Sequence, residues 1–165
     1  MATATPVYGA SVAMTCTIAS LASDTNLLVG RESTAVDQKD TTDAIDVMLG
    51  GKITTGTSPT ASRQIEIWLT ASYDDTEFSG SAAGTDGALT LIAETKTLLR
   101  LFTIIPTNNT SDRAYKFGPY SVAQCFGGTM PVQWGVWIVH NTGVNLNSTA
   151  GNHELVFFPV KYESA

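Results

Sequence analysis

The chain predicts an all-β fold: a single-domain, jelly-roll-like β-sandwich over residues 11–165 with an extended N-terminal arm over residues 1–10. Three observations carry this expectation. Apolar and polar residues alternate with period two in segment after segment from Val12 to Tyr162, as strands with one buried face require. The linkers between these segments are Thr, Ser, Gly, Asn and Asp, and no stretch sustains a 3.6-residue apolar period long enough for a long helix. At 165 residues the chain is long enough to bury the shared core of two sheets as one domain.

Pro6 and Gly9 interrupt any regular element in the arm, whose anchors are Val7 and Tyr8. The arm is expected to order against a neighbouring subunit. Val12, Met14, Cys16 and Ile18 share one face of a predicted strand, with Ser11, Ala13, Thr15 and Thr17 opposite. Residues 20–42 read as a polar loop with a short strand over Gly30–Asp37. Ile45, Val47 and Leu49 begin another strand, which passes a bulge or bend at Gly50–Gly51 into Lys52–Thr54. Gly56–Thr60 is a turn.

Gln64–Tyr73 is the strongest strand, with Ile65, Ile67, Leu69 and Ala71 on one face and Glu66, Trp68, Thr70 and Ser72 on the other. A polar loop follows from Asp74 to Gly87. Leu98–Ile105 is apolar on both faces and is expected as a central strand. Tyr115–Tyr120 is a strand, Ser121–Phe126 a helical turn stopped by Gly127–Gly128, and Trp134–Asn141 and Glu154–Tyr162 the last strands. Long loops between strong strands favour a jelly roll over a meander.

Composition limits the function. Only 15% of residues are charged, the net charge is −6 and the sequence pI is about 4.7. Such a chain repels phosphate backbones, and its nine basic residues form no cluster, so nucleic acid is excluded as the main partner. No apolar run reaches the roughly 18–20 residues of a membrane span, so no membrane partner is expected. Met1–Pro6 shows no basic region followed by a long apolar core, so no secretory signal is read there. Cys16 and Cys125 are read as buried free thiols.

The motifs of chemistry are missing. There is no Gly-x-Ser-x-Gly elbow, and Gly51-Lys52 lacks the upstream glycine of a phosphate loop. His140 alternates with Val136 and Ile138 and is read as a hydrogen-bonded histidine at a strand end. Asp74, Asp75, Glu77 and Asp86 are read as a solvated acidic loop, their spacing unlike a calcium loop. Glu66 and Asp46 are read as solvated acids rather than a glycosidase pair. No catalytic residue, cofactor or metal is therefore predicted. Trp68, on the polar face of its strand, is a candidate for a subunit interface or, less favoured, a sugar platform, unless a loop or arm of the same chain covers that face. At least one of Trp134 and Trp137 is expected in the core, because they lie on opposite faces.

A series of short motifs then stands out: Gly30-Arg31-Glu32-Ser33-Thr34-Ala35-Val36-Asp37, Thr55-Gly56-Thr57-Ser58-Pro59-Thr60, Phe117-Gly118-Pro119-Tyr120-Ser121-Val122, Trp134-Gly135-Val136 and His140-Asn141-Thr142-Gly143. In this order they resemble a group of small tailed-bacteriophage virion proteins. The resemblance implies a structural protein without enzymatic activity, assembled in the host cytoplasm. Its most favoured place is the capsid exterior, as a cement or decoration protein on the major capsid protein and on copies of itself, with a trimer suiting three-fold lattice sites. The alternatives are a neck, tail or fibre component, or a carbohydrate-binding attachment module. Val7, Tyr8, Arg31 and Trp68 are the candidate interface residues.

Overall fold

The computed structural model describes residues 4–38 and 44–164. Residues 1–3 of the arm, the end of the 20–42 loop and residue 165 lie outside the described residues. The strands are β1 (Ala4–Tyr8), β2 (Val12–Ala13), β3 (Val29–Glu32), β4 (Val36–Asp37), β5 (Asp46–Thr54) and β6 (Arg63–Ser72). They continue with β7 (Gly87–Thr90), β8 (Arg100–Thr107), β9 (Ala114–Ser121), β10 (Gln133–His140) and β11 (Glu154–Ser164). Helical structure among the described residues is confined to single turns, such as Ala93–Lys96 and Ala123–Phe126.

The strands build two antiparallel sheets. The first runs β1-β11-β5-β9, with β2 also beside β11; the second runs β7-β3-β10-β6-β8, with β4 beside β10. Sequence neighbours mostly sit in different sheets: β5 and β6, β9 and β10, and β10 and β11 each cross from one to the other. This is an all-β sandwich, and such crossing suits the interlocked strands of a jelly roll.

Period-two alternation makes the core. Ile65, Ile67 and Leu69 of β6 and Trp134, Val136 and Ile138 of β10 face Val47, Leu49 and Ile53 of β5 and Leu155 and Phe157 of β11. Trp134 meets Phe157 edge-on across the sheets, with ring centroids 5.6 Å apart. The Gly50–Gly51 bend is a register shift of β5 against β9. Gly51 is required there because an added β-carbon would lie 2.2 Å from the Glu154 carbonyl oxygen. The Ala123–Phe126 turn ends on Gly127 in the left-handed region, at φ 79°, as the double glycine predicts.

Four expectations need correction. First, Ala4–Tyr8 is neither irregular nor ordered only by a neighbouring subunit: it pairs along its length with Val160–Ser164 of β11 in its own chain. Pro6 is tolerated because β1 is a sheet edge, where a strand has one unpaired side. Second, the strand over residues 12–18 shrinks to Val12–Ala13. Met14 and Ile18 keep their core side. The Thr17 amide turns instead to donate to Asp86 Oδ1 at 2.9 Å, so the ladder with β11 ends.

Third, Arg100–Thr107 is an edge strand rather than a central one. Ile105 faces the core, but Leu101 and Ile104 stay exposed. Fourth, Glu66 is not a solvated acid, because the polar face of β6 is covered by the same chain, as one of the readings of Trp68 allowed. Glu66, Thr70 and Ser72 are buried. The 73–99 segment folds back over this face, and Ala82, Leu89, Leu91 and Leu99 make a second apolar cluster with Trp137 and Val139. Both Trp134 and Trp137 are thus fully buried, one in each cluster.

Candidate interaction surface

The outer faces of the two sheets differ. That of the second sheet is closed by the chain itself. Glu66 accepts a hydrogen bond from Lys96 Nζ at 2.7 Å and another from Trp68 Nε1 at 2.8 Å. Lys96 Nζ also donates to the Leu27 carbonyl at 2.9 Å and sits 4.9 Å from the centroid of the Trp68 ring. Trp68 is therefore half-buried beneath its own chain's ammonium group. Arg31 is likewise engaged internally: its Nε donates to Asp86 Oδ1 at 2.7 Å.

The outer face of the first sheet carries no such cover. On β11, Leu155 and Phe157 point into the core, so Glu154, Val156, Phe158 and Tyr162 point outward, while Val160, in the same alternation, is buried. Register places Met48 beside Phe158, Tyr8 beside Val160 and Pro6 beside Tyr162. An antiparallel sheet with one wet face normally alternates apolar-in and polar-out. Here most of the outward residues of β11 are apolar. Tyr8 and Tyr162 are exposed, while Met48, Val156 and Phe158 are half-buried. A groove of about 680 Å³ adjoins this face, lined by Ile45, Asp46, Ser121, Ala123, Gln124 and Tyr162 among others.

Charge is divided in the same way. The outer row of the first sheet sets Glu154 opposite Lys52 and Lys52 opposite Lys116. Exposed Asp74, Asp75, Glu77 and Glu94 lie instead on the 73–99 segment over the second sheet. The Asp74 carboxylate caps its own turn, accepting from the Thr76 and Glu77 amides at 3.0 and 2.7 Å. Among the described residues no group of three His, Cys, Asp or Glu is placed to hold a metal.

Of the predicted interface residues, Val7 and Tyr8 lie at the uncovered first sheet, whereas Arg31 and Trp68 contribute to internal networks. Sequence reasoning missed Tyr162 and the outward residues of β11. The signal was present in the unbroken apolar run Leu155–Val160, which alternation alone does not explain.

A cleft of about 260 Å³ brings Cys16, His153 and Glu154 together. Burial pushes the Cys16 thiol up to about 12, helped by the nearby Asp86, so the nucleophilic thiolate is scarce at neutral pH. Both cysteines are free thiols. Intact mass spectrometry without reductant is expected to show two alkylatable thiols; a linked Cys16–Cys125 pair contradicts this.

His140 is fully buried, its Nε2 3.0 Å from the Leu21 carbonyl and its Nδ1 3.0 Å from Thr142 Oγ1. Since a carbonyl only accepts, Nε2 carries the proton. Burial lowers the imidazole to about 4 from the usual 6.5. Below pH 6.5 the unfolded chain takes up a proton that the folded chain refuses. Stability should therefore fall by about 3 kcal/mol between pH 6.5 and 4 from this group alone. Burial of Asp86 opposes its ionisation, but bonds from Arg31 and Thr17 outweigh that and hold it at about 2. Its contribution, about 2 kcal/mol, is full above the usual 3.8 and is lost as pH falls through 2. Denaturant titrations at stepped pH test this: the difference between wild type and His140→Gln should shrink from pH 7 to 4. A constant difference contradicts it.

The fold and this surface together define an all-β sandwich with one self-covered and one uncovered sheet face. No protein-family model, curated protein or solved structure matches the chain.

Proposed function

We propose that this chain is a non-enzymatic structural protein of a tailed-bacteriophage virion, a cement or decoration protein on the capsid exterior that bridges neighbouring shell subunits. The uncovered apolar face of the first sheet carries this reading. It joins Met48, Val156 and Phe158 to the exposed Tyr8 and Tyr162, and contiguous apolar surface of this kind marks protein–protein contact. The short motifs that resemble small virion proteins supply the setting. The division of charge supports an outward orientation: the balanced face meets the shell, and the acidic 73–99 segment points away from packaged DNA.

On this reading the protein acts by binding only the assembled shell and stabilising it by mass action. The ratio of this chain to shell protein in purified particles tests the placement. Decoration requires on the order of hundreds of copies, one set per repeated lattice site. About a dozen copies or fewer would assign the protein to the neck or tail.

A further inference from the structure

We infer that a polar pocket at the loop end of the sandwich, built around Asp112, binds one unit of a neutral sugar. This goes beyond the particle role and does not depend on it. The pocket lies beside the start of β11, and Tyr162 is about 26 Å farther along that strand.

Four loops meet at the pocket, contributing Ser20, Thr57, Asp112 and the segment 144–148. The cavity is about 320 Å³, within the range of small-molecule sites. Asn147 ties these loops to one another. Its N–H donates to the Thr54 carbonyl at 3.1 Å, and its carbonyl accepts from the Ser20 amide at 3.2 Å and from His153 Nε2 at 2.8 Å. Its Nδ2 donates to Asp112 Oδ1 at 2.7 Å, while its Oδ1 accepts from the Thr149 amide and from Asn152 Nδ2, both at 2.9 Å. The Asp112 amide in turn donates to the Gly56 carbonyl at 3.1 Å. Ser20 and Asp112 are held in the left-handed region, at φ 60° and 51°, a conformation that persists where the surroundings impose it. Loops fixed in this way cost little further ordering when a ligand binds.

The polar groups left over suit hydroxyls. Asn147 engages one carboxylate oxygen of Asp112, and the other has no partner among the described residues. The same holds for the hydroxyls of Ser20, Thr57 and Ser148 and for the side-chain amide of Asn145. Sugar hydroxyls both donate and accept, as do these hydroxyls and the amide, whereas the carboxylate only accepts. A hydroxyl donating to Asp112 makes a charge-assisted bond, the stronger kind. Val144 and Leu146 add apolar lining for the C–H face of a sugar ring, and a Val144 methyl lies 3.7 Å from where a β-carbon on Gly56 would sit.

Other ligand classes fit this set poorly. An anion would meet Asp112 with no Lys or Arg in the lining. Calcium takes roughly six to eight oxygens, often from several carboxylates. Here there is one carboxylate, with the Asn147 N–H donor already against it.

Amide-resolved NMR titration of the isotope-labelled full chain tests this. The probes are glucose, galactose, mannose and N-acetylglucosamine, with galacturonate and calcium chloride as the anionic and cationic arms. At least one neutral sugar should saturably shift the amides of residues 20, 56–57, 112 and 144–148. The expected Kd is about 1–10 mM, as about a dozen non-hydrogen atoms give. Equal binding of its methyl glycoside assigns the site to the end of a glycan; loss of binding assigns it to the free sugar. Asp112→Asn keeps an acceptor for Asn147 but removes the charge, and should weaken binding about tenfold. Thr57→Val should weaken it about threefold, and carries the test if Asp112→Asn disturbs the loops. The proposal is overturned if no neutral sugar shifts these amides at about tenfold the expected Kd. It is equally overturned if calcium or galacturonate binds there more tightly, or if the folded variant binds like the wild type.

Discussion

Replacing Lys96 by methionine is expected to destabilise the fold by about 3–5 kcal/mol, although Lys96 lies outside the main core. Glu66 is only 6% exposed, and Lys96 is its ion-pair partner, at 2.7 Å. Methionine fills similar space but leaves a buried carboxylate with the neutral donors Gln64 and Trp68 alone. It also removes the bond to the Leu27 carbonyl and the ammonium over the Trp68 and Trp137 rings. The single turn Ala93–Lys96 is too short to hold itself, so the 73–99 cover should loosen with it. Combining Lys96→Met with Glu66→Leu should recover most of the loss, because no charge then remains buried. Urea unfolding of both variants measures this. A Lys96→Met cost below about 1 kcal/mol, as for an exposed pair, contradicts it.

Trp134→Ala should cost about 3–5 kcal/mol, the range for deleting a large buried aromatic side chain. Trp134 is fully buried and packs edge-on against Phe157, so its loss opens a cavity between the sheets. Trp134→Phe should cost less than about 1.5 kcal/mol. The reason is that the indole Nε1 is buried without a hydrogen-bond partner. Phenylalanine keeps the apolar body and removes the unpaired donor, which offsets part of the lost area. Denaturant midpoints at constant m-value give both figures. Equal losses for the two substitutions contradict the reading of the orphan N–H.

The inner faces were legible because period-two alternation reports which residues share a face. Ile65, Ile67 and Leu69 and the bend at Gly50–Gly51 were readable on that ground alone. What alternation cannot report is what covers the opposite face. Glu66 read as solvated because a polar-looking strand face is usually wet, and Trp68 left open whether a partner, a sugar or its own chain meets it; here the 73–99 segment folds over this face. The position of a strand within its sheet is equally silent. Leu98–Ile105 is apolar on both sides, which suggested a central strand, yet β8 is an edge whose extra apolar residues remain exposed. Pro6 misled in the opposite direction, since a proline that breaks a central ladder is harmless at an edge. Val7 and Tyr8 stand out in the sequence because they are apolar residues in a small, polar segment; Tyr162 is hidden at the end of a strong strand.

The proposed role is to add thermal resistance to a capsid through many repeated interfaces on the uncovered face of the first sheet. The most direct measurement is the temperature at which particles release DNA. It should be compared for intact particles, particles stripped of this protein, and stripped particles given back either the wild type or the Tyr8→Ser, Tyr162→Ser variant. Stripped particles should release DNA at a lower temperature, wild-type protein should restore the original value, and the variant should not, while infection under mild conditions stays normal. Stripped particles that are equally heat-resistant but fail to adsorb to cells would contradict the cement role and favour attachment instead.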